Sequence, residues 1–196
     1  LAAATAEREK VEAQLRADEE EAAQVLASAT VALNRSMFIR VLAQDAAIAR
    51  VAAEFAPPRR HWALVGNGPN RVAAEEVRIK LSELCYKSIA SDATEDKKHI
   101  DLSSEPMILV CAAGLVGSTA DDVSKEVAIF RAHKAAPIVI ASEGDRAFSA
   151  ALAVLSVPDT HPRLGFVLAT MVGHLFGYEA ALSIDEQARP LREVRA

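Results

Sequence analysis

The sequence predicts an α/β fold, a three-layer sandwich in which helices cover both faces of a parallel sheet. Short and nearly continuous apolar runs at 62–65, 107–113 and 137–142 are typical of strands that are buried on both sides. Stretches long enough for helices separate these runs, and a Gly-X-Gly turn follows the first of them. This alternation predicts right-handed crossovers, and it places a ligand at the carboxyl ends of the strands.

The first 35 residues predict an N-terminal helical arm. They contain no glycine or proline and are rich in alanine and glutamate, which favours a helix. The apolar positions form only a thin stripe, so we expect this arm to pack against a partner or to connect elements. We interpret the acidic run at 18–21 as a solvated face. The stripe consists of Val11, Leu15, Ala22, Val25 and Leu26.

A second helix is predicted from Met37 to Phe55, where apolar residues recur near a 3.6-residue period before two prolines end the pattern. We therefore divide the chain into an arm at 1–58 and an α/β domain at 59–196. A fourth strand is expected at 151–157. Further helices are expected at 70–87, 120–135 and 164–182. Residue 1 is leucine, which suggests a fragment of a longer protein.

Composition and charge exclude several classes of function. Lys and Arg number 22 against 27 Asp and Glu, and the net charge of −5 offers no basic surface for nucleic acid. No apolar run approaches the roughly 20 residues of a membrane span, and the start does not resemble a signal peptide. Cys85 and Cys111 occupy apolar positions, so we expect buried thiols, no metal or cofactor, and a reduced cytoplasmic setting.

The predicted helix after the glycine turn carries a charged strip. Glu76, Lys80 and Glu83 stand at i, i+4 and i+7 and lie within about 60° of one another around the helix. The apolar residues of this helix lie to one side, so the strip can line a cleft. An ordinary surface ladder of ion pairs explains the same spacing.

His99 lies in a polar stretch, 91–105, that we expect to form a loop. A histidine in such a loop usually faces solvent. Isomerisation of a ketose to an aldose, however, needs an acid–base group that titrates near neutral pH and a carboxylate that moves a proton between adjacent carbons. A histidine and a glutamate are residues of the required types.

The glycine turn, the Lys80 and Glu83 pair and His99 sixteen residues later together resemble the sugar-isomerase (SIS) family, in particular the isomerase half of glutamine–fructose-6-phosphate aminotransferases. The likeness extends loosely over 36–185. It implies that Glu83 is the proton-transfer base, His99 the ring-opening catalyst and Lys80 an electrostatic partner. In that family the histidine reaches the neighbouring subunit's site, which implies a homodimer.

Two loops are candidate substrate-binding segments. The first, Gly66, Asn67 and Gly68, joins a strand to a helix, the geometry in which backbone N–H groups face an anion. The second places Ser118 and Thr119 before a helix, where they can hold a phosphate or serve as a helix N-cap.

The C-terminal tail differs from the family pattern. It carries Arg189, Arg192 and Arg195 but no lysine, whereas the family's tail lysine is proposed to form an imine with the ketose. An arginine stays protonated and cannot replace it.

Three hypotheses follow. In the first, the chain is the phosphosugar-binding SIS domain of an aminotransferase-like isomerising protein in amino-sugar metabolism. In the second, it is a non-catalytic SIS module for phosphosugar sensing or dimerisation, which the tail favours. In the third, an α/β domain binds another anionic metabolite through the first loop.

Overall fold

The computed structural model describes residues 2–99 and 102–195, without the side chains at 2–6, 25–32, 191–192 and 194–195. The chain forms a five-stranded parallel sheet with helices on both faces, so the predicted three-layer α/β sandwich with an N-terminal helix is confirmed. In chain order, the elements are α1 (Ala2–Ala32), α2 (Arg35–Leu42), α3 (Asp45–Phe55), β1 (Trp62–Gly66), α4 (Pro69–Cys85), β2 (Ala90–Asp92), α5 (Thr94–His99), β3 (Met107–Cys111), α6 (Gly117–Ala132), β4 (Ala136–Ser142), β5 (Ala153–Val157) and α7 (Gly165–Arg195).

All neighbouring strands are parallel, in the order β2-β1-β3-β4-β5. Trp62 lies opposite Met107, and Met107 lies opposite Ala136, so the three central strands start level with one another. Every residue of β1 and β3 is buried, as their apolar runs predicted. The carboxyl ends of the strands therefore meet at one edge of the sheet, where the loops to α4, α6 and α7 also lie.

Alternate residues of the central strands face two separate apolar cores. Leu64 and Leu109 face a core that includes residues of α3, α4 and α7. Val65 and Val110 face the other core, which includes residues of α6. Because α5 packs on α6, the two layers are α3, α4 and α7 on one side and α5 and α6 on the other.

Helices α4 and α7 lie close together because α7 carries glycines at the contact. A Cβ atom on Gly173 would lie 2.3 Å from Val77, and one on Gly177 would lie 2.7 Å from Leu81. Both helices begin at the carboxyl edge and run in the same direction, so successive turns of α4 face successive turns of α7.

The predicted helix at 37–55 is two helices, α2 and α3, separated by a turn at 43–44. Asn34 caps α2, since its side chain accepts a hydrogen bond from the Met37 N–H at 3.2 Å. Both helices pack into the core through Val41 and Ile48, which are fully buried. The division of the chain at residue 58 stays a prediction.

The sequence analysis missed β2 and α5. Because β2 is a three-residue edge strand, its apolar signal is weak. Helix α5 replaces the expected loop, so the prediction that a loop carries His99 was wrong: His99 is the last residue of α5. Acidic residues in its first turn and basic residues in its last turn complement the helix dipole.

Of the two terminal helices, α1 agrees with the prediction and α7 is longer than predicted. Arm helix α1 is confirmed, and its Val11 and Leu15 are more than half exposed, at 52% and 55%. The side chains of Val25 and Leu26 lie outside the described residues. Helix α7 continues past the expected end at 182 to Arg195, with Pro190 inside it.

By length and composition, one segment of α7 is able to cross a membrane: Gly165–Pro190, with a mean hydropathy of 1.3. The sequence analysis expected no segment of this kind, because polar residues interrupt the apolar stretches of α7. Its Leu168, Val172 and Phe176 are fully buried against the sheet and the neighbouring helices, which is the pattern of a helix that packs on a protein core.

Candidate functional site

A cavity of about 220 Å³ lies at the carboxyl edge of the sheet, where α4, α6 and α7 begin. Asn67, Gly68 and Thr119, three of the five predicted substrate-binding residues, line it. Gly114 and Arg163 complete its main walls. We call it the edge cavity. The structure thus brings both predicted binding loops to one place.

Two glycines shape the loop after β1. Gly68, the residue before α4, has a φ of +55°, a backbone conformation that residues with a side chain rarely adopt. Gly66 does not line the edge cavity. A Cβ atom there would lie 2.2 Å from the Asn70 carbonyl oxygen, so this glycine lets the first turn of α4 approach β1.

Two asparagines hold the loop in place. The Asn67 side chain donates to Thr94 Oγ1 at 2.7 Å and accepts from the Thr94 N–H at 3.2 Å, which ties the loop to α5. Buried Asn70 donates to the Ala113 carbonyl at 2.8 Å and so joins the first turn of α4 to the loop after β3. Its Oδ1 is buried and has no hydrogen-bond partner in the described part of the chain. Sequence reasoning did not single out Asn70.

Helix α6 presents its N-terminus to the edge cavity. It begins at Gly117, three residues earlier than predicted, and Val116 is the N-cap residue without a side-chain capping bond. Ser118 and Thr119 therefore lie in the first turn rather than at the N-cap. Thr119 lines the cavity, whereas Ser118 is exposed nearby. An uncapped helix N-terminus carries positive potential and favours an anion.

Arg163 adds a positive charge to the same cavity. Its Nη2 lies 2.9 Å from Glu21 Oε1 on α1, and both side chains are about half exposed. The acidic run at 18–21 was expected to be a solvated face, but its last residue, Glu21, forms an ion pair with a residue of this cavity. No sequence motif includes Arg163. A basic residue in a loop at the carboxyl edge of a predicted parallel sheet would, however, have indicated a candidate anion-binding residue.

Lys80 and Glu83 form an ion pair on α4, with Nζ 2.8 Å from Oε2. The hydrogen bond and charge of Glu83 raise the pKa of Lys80, and Glu76 adds to the effect. Both side chains are substantially exposed. At 1.5 Å per residue, Lys80 lies about 16 Å and Glu83 about 21 Å along α4 from its start at the edge cavity.

His99 lies on the other side of the sheet. Its Nε2 is 3.3 Å from Glu95 Oε1 on α5, which packs on α6. Lys80 and Glu83 belong to the α4 and α7 layer. One chain therefore does not bring the three predicted catalytic residues together, and their shared role stays a prediction that needs a second copy.

A second cavity, of about 330 Å³, lies between side chains of α5 and α6 and is lined mainly by charged residues. Lys98 Nζ lies 2.6 Å from Glu95 and 3.5 Å from Glu126, whose side chain is only 7% exposed. Desolvation, followed by the neighbouring Glu95, raises the pKa of Glu126. Hydrogen bonds from Glu126 and then Lys98 lower the pKa of Glu95 to about 2. The two carboxyl groups therefore have pKa values that are shifted in opposite directions.

A third cavity, of about 420 Å³, lies between α4 and α7; we call it the α4–α7 groove. Its walls are mainly apolar and include Val72 and Phe166. Glu76 and His174 supply its ionisable groups, with Oε1 and Nε2 3.3 Å apart. The sequence analysis placed Glu76 in the charged strip but did not connect it with His174.

The described residues contain no group of three or more His, Cys, Asp or Glu side chains that is arranged to hold a metal ion. Both cysteines are buried free thiols, as expected. Burial raises the pKa of Cys85 to about 11 and that of Cys111 to about 12. In the tail, Arg189 lies 3.7 Å from Glu186, and the side chains of Arg192 and Arg195 lie outside the described residues.

No family model matches the sequence, and the comparison with curated proteins finds no match. Solved structures do match. The C-terminal domain of glucosamine-fructose-6-phosphate aminotransferase from Francisella tularensis aligns over 77% of this chain and 43% of its own, with 19% identity and a TM-score of 0.68. The chain therefore spans less than half of that structure.

Two further structures align over more of the chain. The sugar isomerase domain of an RpiR transcription factor from Sphaerobacter thermophilus matches 88% of this chain and 97% of its own, with 18% identity and a TM-score of 0.59. The Vibrio vulnificus NanR protein complexed with ManNAc-6P matches 95% and 72%, with 11% identity and a TM-score of 0.52. The fold is thus that of SIS domains, as the resemblance predicted.

Proposed function

We propose that this domain binds a sugar phosphate, with the phosphate in the edge cavity. The observation that carries the proposal is the meeting of Arg163 with the uncapped N-terminus of α6 at one cavity on the carboxyl edge of the sheet. A guanidinium group binds phosphate through several N–H groups, and a helix N-terminus adds positive potential. Thr119 supplies a hydroxyl group on the same wall.

The comparisons support a sugar phosphate over other anions. NanR, one of the structures with the same fold, is complexed with ManNAc-6P. The α4–α7 groove begins about one helical turn along α4 from the edge cavity, and we assign it to the body of a ligand beyond its phosphate.

At a finer level, we propose that the chain serves an aminotransferase-like isomerising protein of amino-sugar metabolism. In this proposal Lys80 and Glu83 act with a histidine from another copy, which corresponds to His99. The far ends of α4 and α7 offer a surface for such a homodimer, because Tyr86 is 95% exposed there and lines a cavity together with Leu84 and Ile184. We place the protein in the cytoplasm.

A second candidate is a non-catalytic module that senses a sugar phosphate. The extent of the match favours it, since the RpiR structure aligns with 88% of this chain and the aminotransferase domain with 77%. The tail without lysine favours it as well.

Calorimetry on the purified protein tests the shared part of both candidates. We expect binding of fructose 6-phosphate, weaker binding of inorganic phosphate, and none of fructose. Tighter binding of a nucleotide than of any hexose phosphate would instead support the general anion-binding hypothesis. Absence of binding to every phosphate compound would overturn the proposal.

A further inference from the structure

The α4–α7 groove lies further along α4 and α7 than the edge cavity. Pro69 and Arg163 line the edge cavity, and Val72 and Phe166, each three residues further along the chain, line the groove. Because α4 and α7 run in the same direction, the groove leads away from the sheet edge. A ligand anchored at the edge cavity by one end can therefore extend into the groove.

The polar end of the groove is formed by Glu76 and His174. The His174 Nε2 atom is inaccessible to solvent and, within the described residues, has no hydrogen-bond partner, although Glu76 Oε1 lies 3.3 Å away outside hydrogen-bond geometry. A buried ring nitrogen without a partner is costly in free energy, and a ligand hydroxyl or carbonyl group would satisfy it. The rest of the imidazole and the carboxylate are exposed at 38% and 48%, so a ligand in the groove contacts both side chains, and a rotation of the imidazole ring is what brings Nε2 to it.

The length of an open-chain hexose 6-phosphate fits this distance. Seven bonds separate its phosphorus from C1, and an extended chain covers about 3.8 Å per three bonds, which gives a span of about 9 Å. Glu76 lies about 10 Å along α4 from Pro69. Lys80 and Glu83 lie about 6 and 10 Å further on. The acid and the imidazole that such a ligand reaches within one chain are therefore Glu76 and His174.

We propose that Glu76 and His174 form the sugar-recognition pair of the site and contact the C1–C2 end of a hexose phosphate, while Phe166 and Val72 line the path of its carbon chain. This inference rests on the proposed binding of a sugar phosphate. It assigns recognition of the sugar to a histidine of the same chain, so the binding step does not need His99 from a second copy. His174 hydrogen-bonds a hydroxyl or carbonyl oxygen, and Glu76 accepts from an adjacent hydroxyl group.

Binding of two ligands to the full protein tests the pair. His174→Gln and Glu76→Gln are expected to weaken binding of fructose 6-phosphate by roughly tenfold or more, the effect of losing a hydrogen bond to a charged or buried group. Binding of inorganic phosphate, which stays in the edge cavity, is expected to change less than twofold. Glu75→Gln, which lies about 100° around α4 from Glu76 and pairs with Arg71, and His133→Gln at the end of α6 are matched controls, and neither is expected to change either affinity.

The outcomes separate this inference from the proposed function. If the wild-type protein binds no hexose phosphate, the proposed function fails. If it binds fructose 6-phosphate but both variants bind it equally well, the pair is wrong while the proposed function stands. Retained binding of inorganic phosphate shows that each variant is folded. In addition, the imidazole NMR signal of His174 should shift with fructose 6-phosphate but not with inorganic phosphate, and an unchanged signal would contradict the contact.

Discussion

Arg163, on the wall of the edge cavity, forms an ion pair with Glu21 of α1, with Nη2 2.9 Å from Oε1. The N-terminal arm therefore places a carboxylate on the cationic side chain that we assign to the phosphate. A carboxylate and a phosphate bind a guanidinium group in the same way, so the two compete. The position of the arm is thereby coupled to occupation of the cavity.

Glu21→Gln is expected to tighten binding of fructose 6-phosphate by up to about fivefold, because a partly exposed ion pair contributes about 0.2–1 kcal/mol. Arg163→Gln should weaken the same binding by roughly tenfold or more. Isothermal calorimetry at low and high salt measures both effects, which should shrink as salt rises.

Glu20→Gln is the matched control for the arm, since Glu20 is its exposed neighbour on α1. It should leave the affinity unchanged. Equal affinities of the wild-type protein and the Glu21 variant would show that the arm does not compete with the ligand.

Glu83→Gln separates an enzyme from a sensor. If the chain belongs to an isomerising aminotransferase, turnover of fructose 6-phosphate should fall by roughly 10²–10⁴-fold, the usual effect of removing a general base, while binding persists. Initial rates and calorimetry on the same preparations give the two quantities. In the full-length parent protein, binding without turnover by the wild type assigns the chain to the sensing module, whereas unchanged turnover in the variant shows that Glu83 is not the proton-transfer base.

Gly66→Ala should lower the free energy of unfolding by about 1–3 kcal/mol, because its Cβ atom would lie 2.2 Å from the Asn70 carbonyl oxygen and displace the start of α4. Urea denaturation followed by circular dichroism measures the change. Ala120→Gly in α6, which removes a side chain rather than adding one, should cost only about 1 kcal/mol. A Gly66 variant as stable as the wild-type protein would mean that the first turn of α4 can move away from β1 without loss of stability.

The Glu95 and Glu126 pair predicts how stability depends on pH. The folded state raises the pKa of Glu126 above 4.5, chiefly by desolvation, so its stabilising contribution is present at low pH and is lost as pH rises through the raised value. The folded state lowers the pKa of Glu95 to about 2, so its contribution is lost as pH falls from 4.5 toward 2.

Glu126→Gln removes the first titration and keeps a hydrogen-bond donor for Glu95. The free energy of unfolding of the wild-type protein should therefore fall, relative to that of this variant, as pH rises above 4.5. Urea denaturation at several pH values measures the difference. A difference that does not vary with pH would show that folding does not raise the pKa of Glu126.

Both cysteines should resist thiol reagents in the folded protein. Cys111 is 1% exposed and Cys85 is 9% exposed, and burial raises the pKa values of both thiols, so little reactive thiolate is present at pH 8. Mass spectrometry after treatment with iodoacetamide should find neither thiol modified in buffer and both modified in urea. Rapid labelling in buffer would mean that the chain opens locally around that residue.

Much of the fold follows from local sequence. β1 and β3 are evident because strands that are buried on both faces need continuous apolar runs, and α1 is evident because nothing in its residues interrupts a helix. In contrast, β2 and α5 were missed. Each is short and depends on a neighbour, β2 on hydrogen bonds from β1 and α5 on the contact between Thr94 and Asn67.

The sequence by itself determined the class of the fold, the glycine turn at 66–68 and the helix that carries Lys80 and Glu83, because these depend on residues that are near one another in the chain. The tertiary structure decided which side chains share a site. It placed His99 on the far face of the sheet, His174 beside Glu76, and Arg163 between the edge cavity and Glu21. Such contacts depend on which helix faces pack together, and spacing along the chain does not specify that packing.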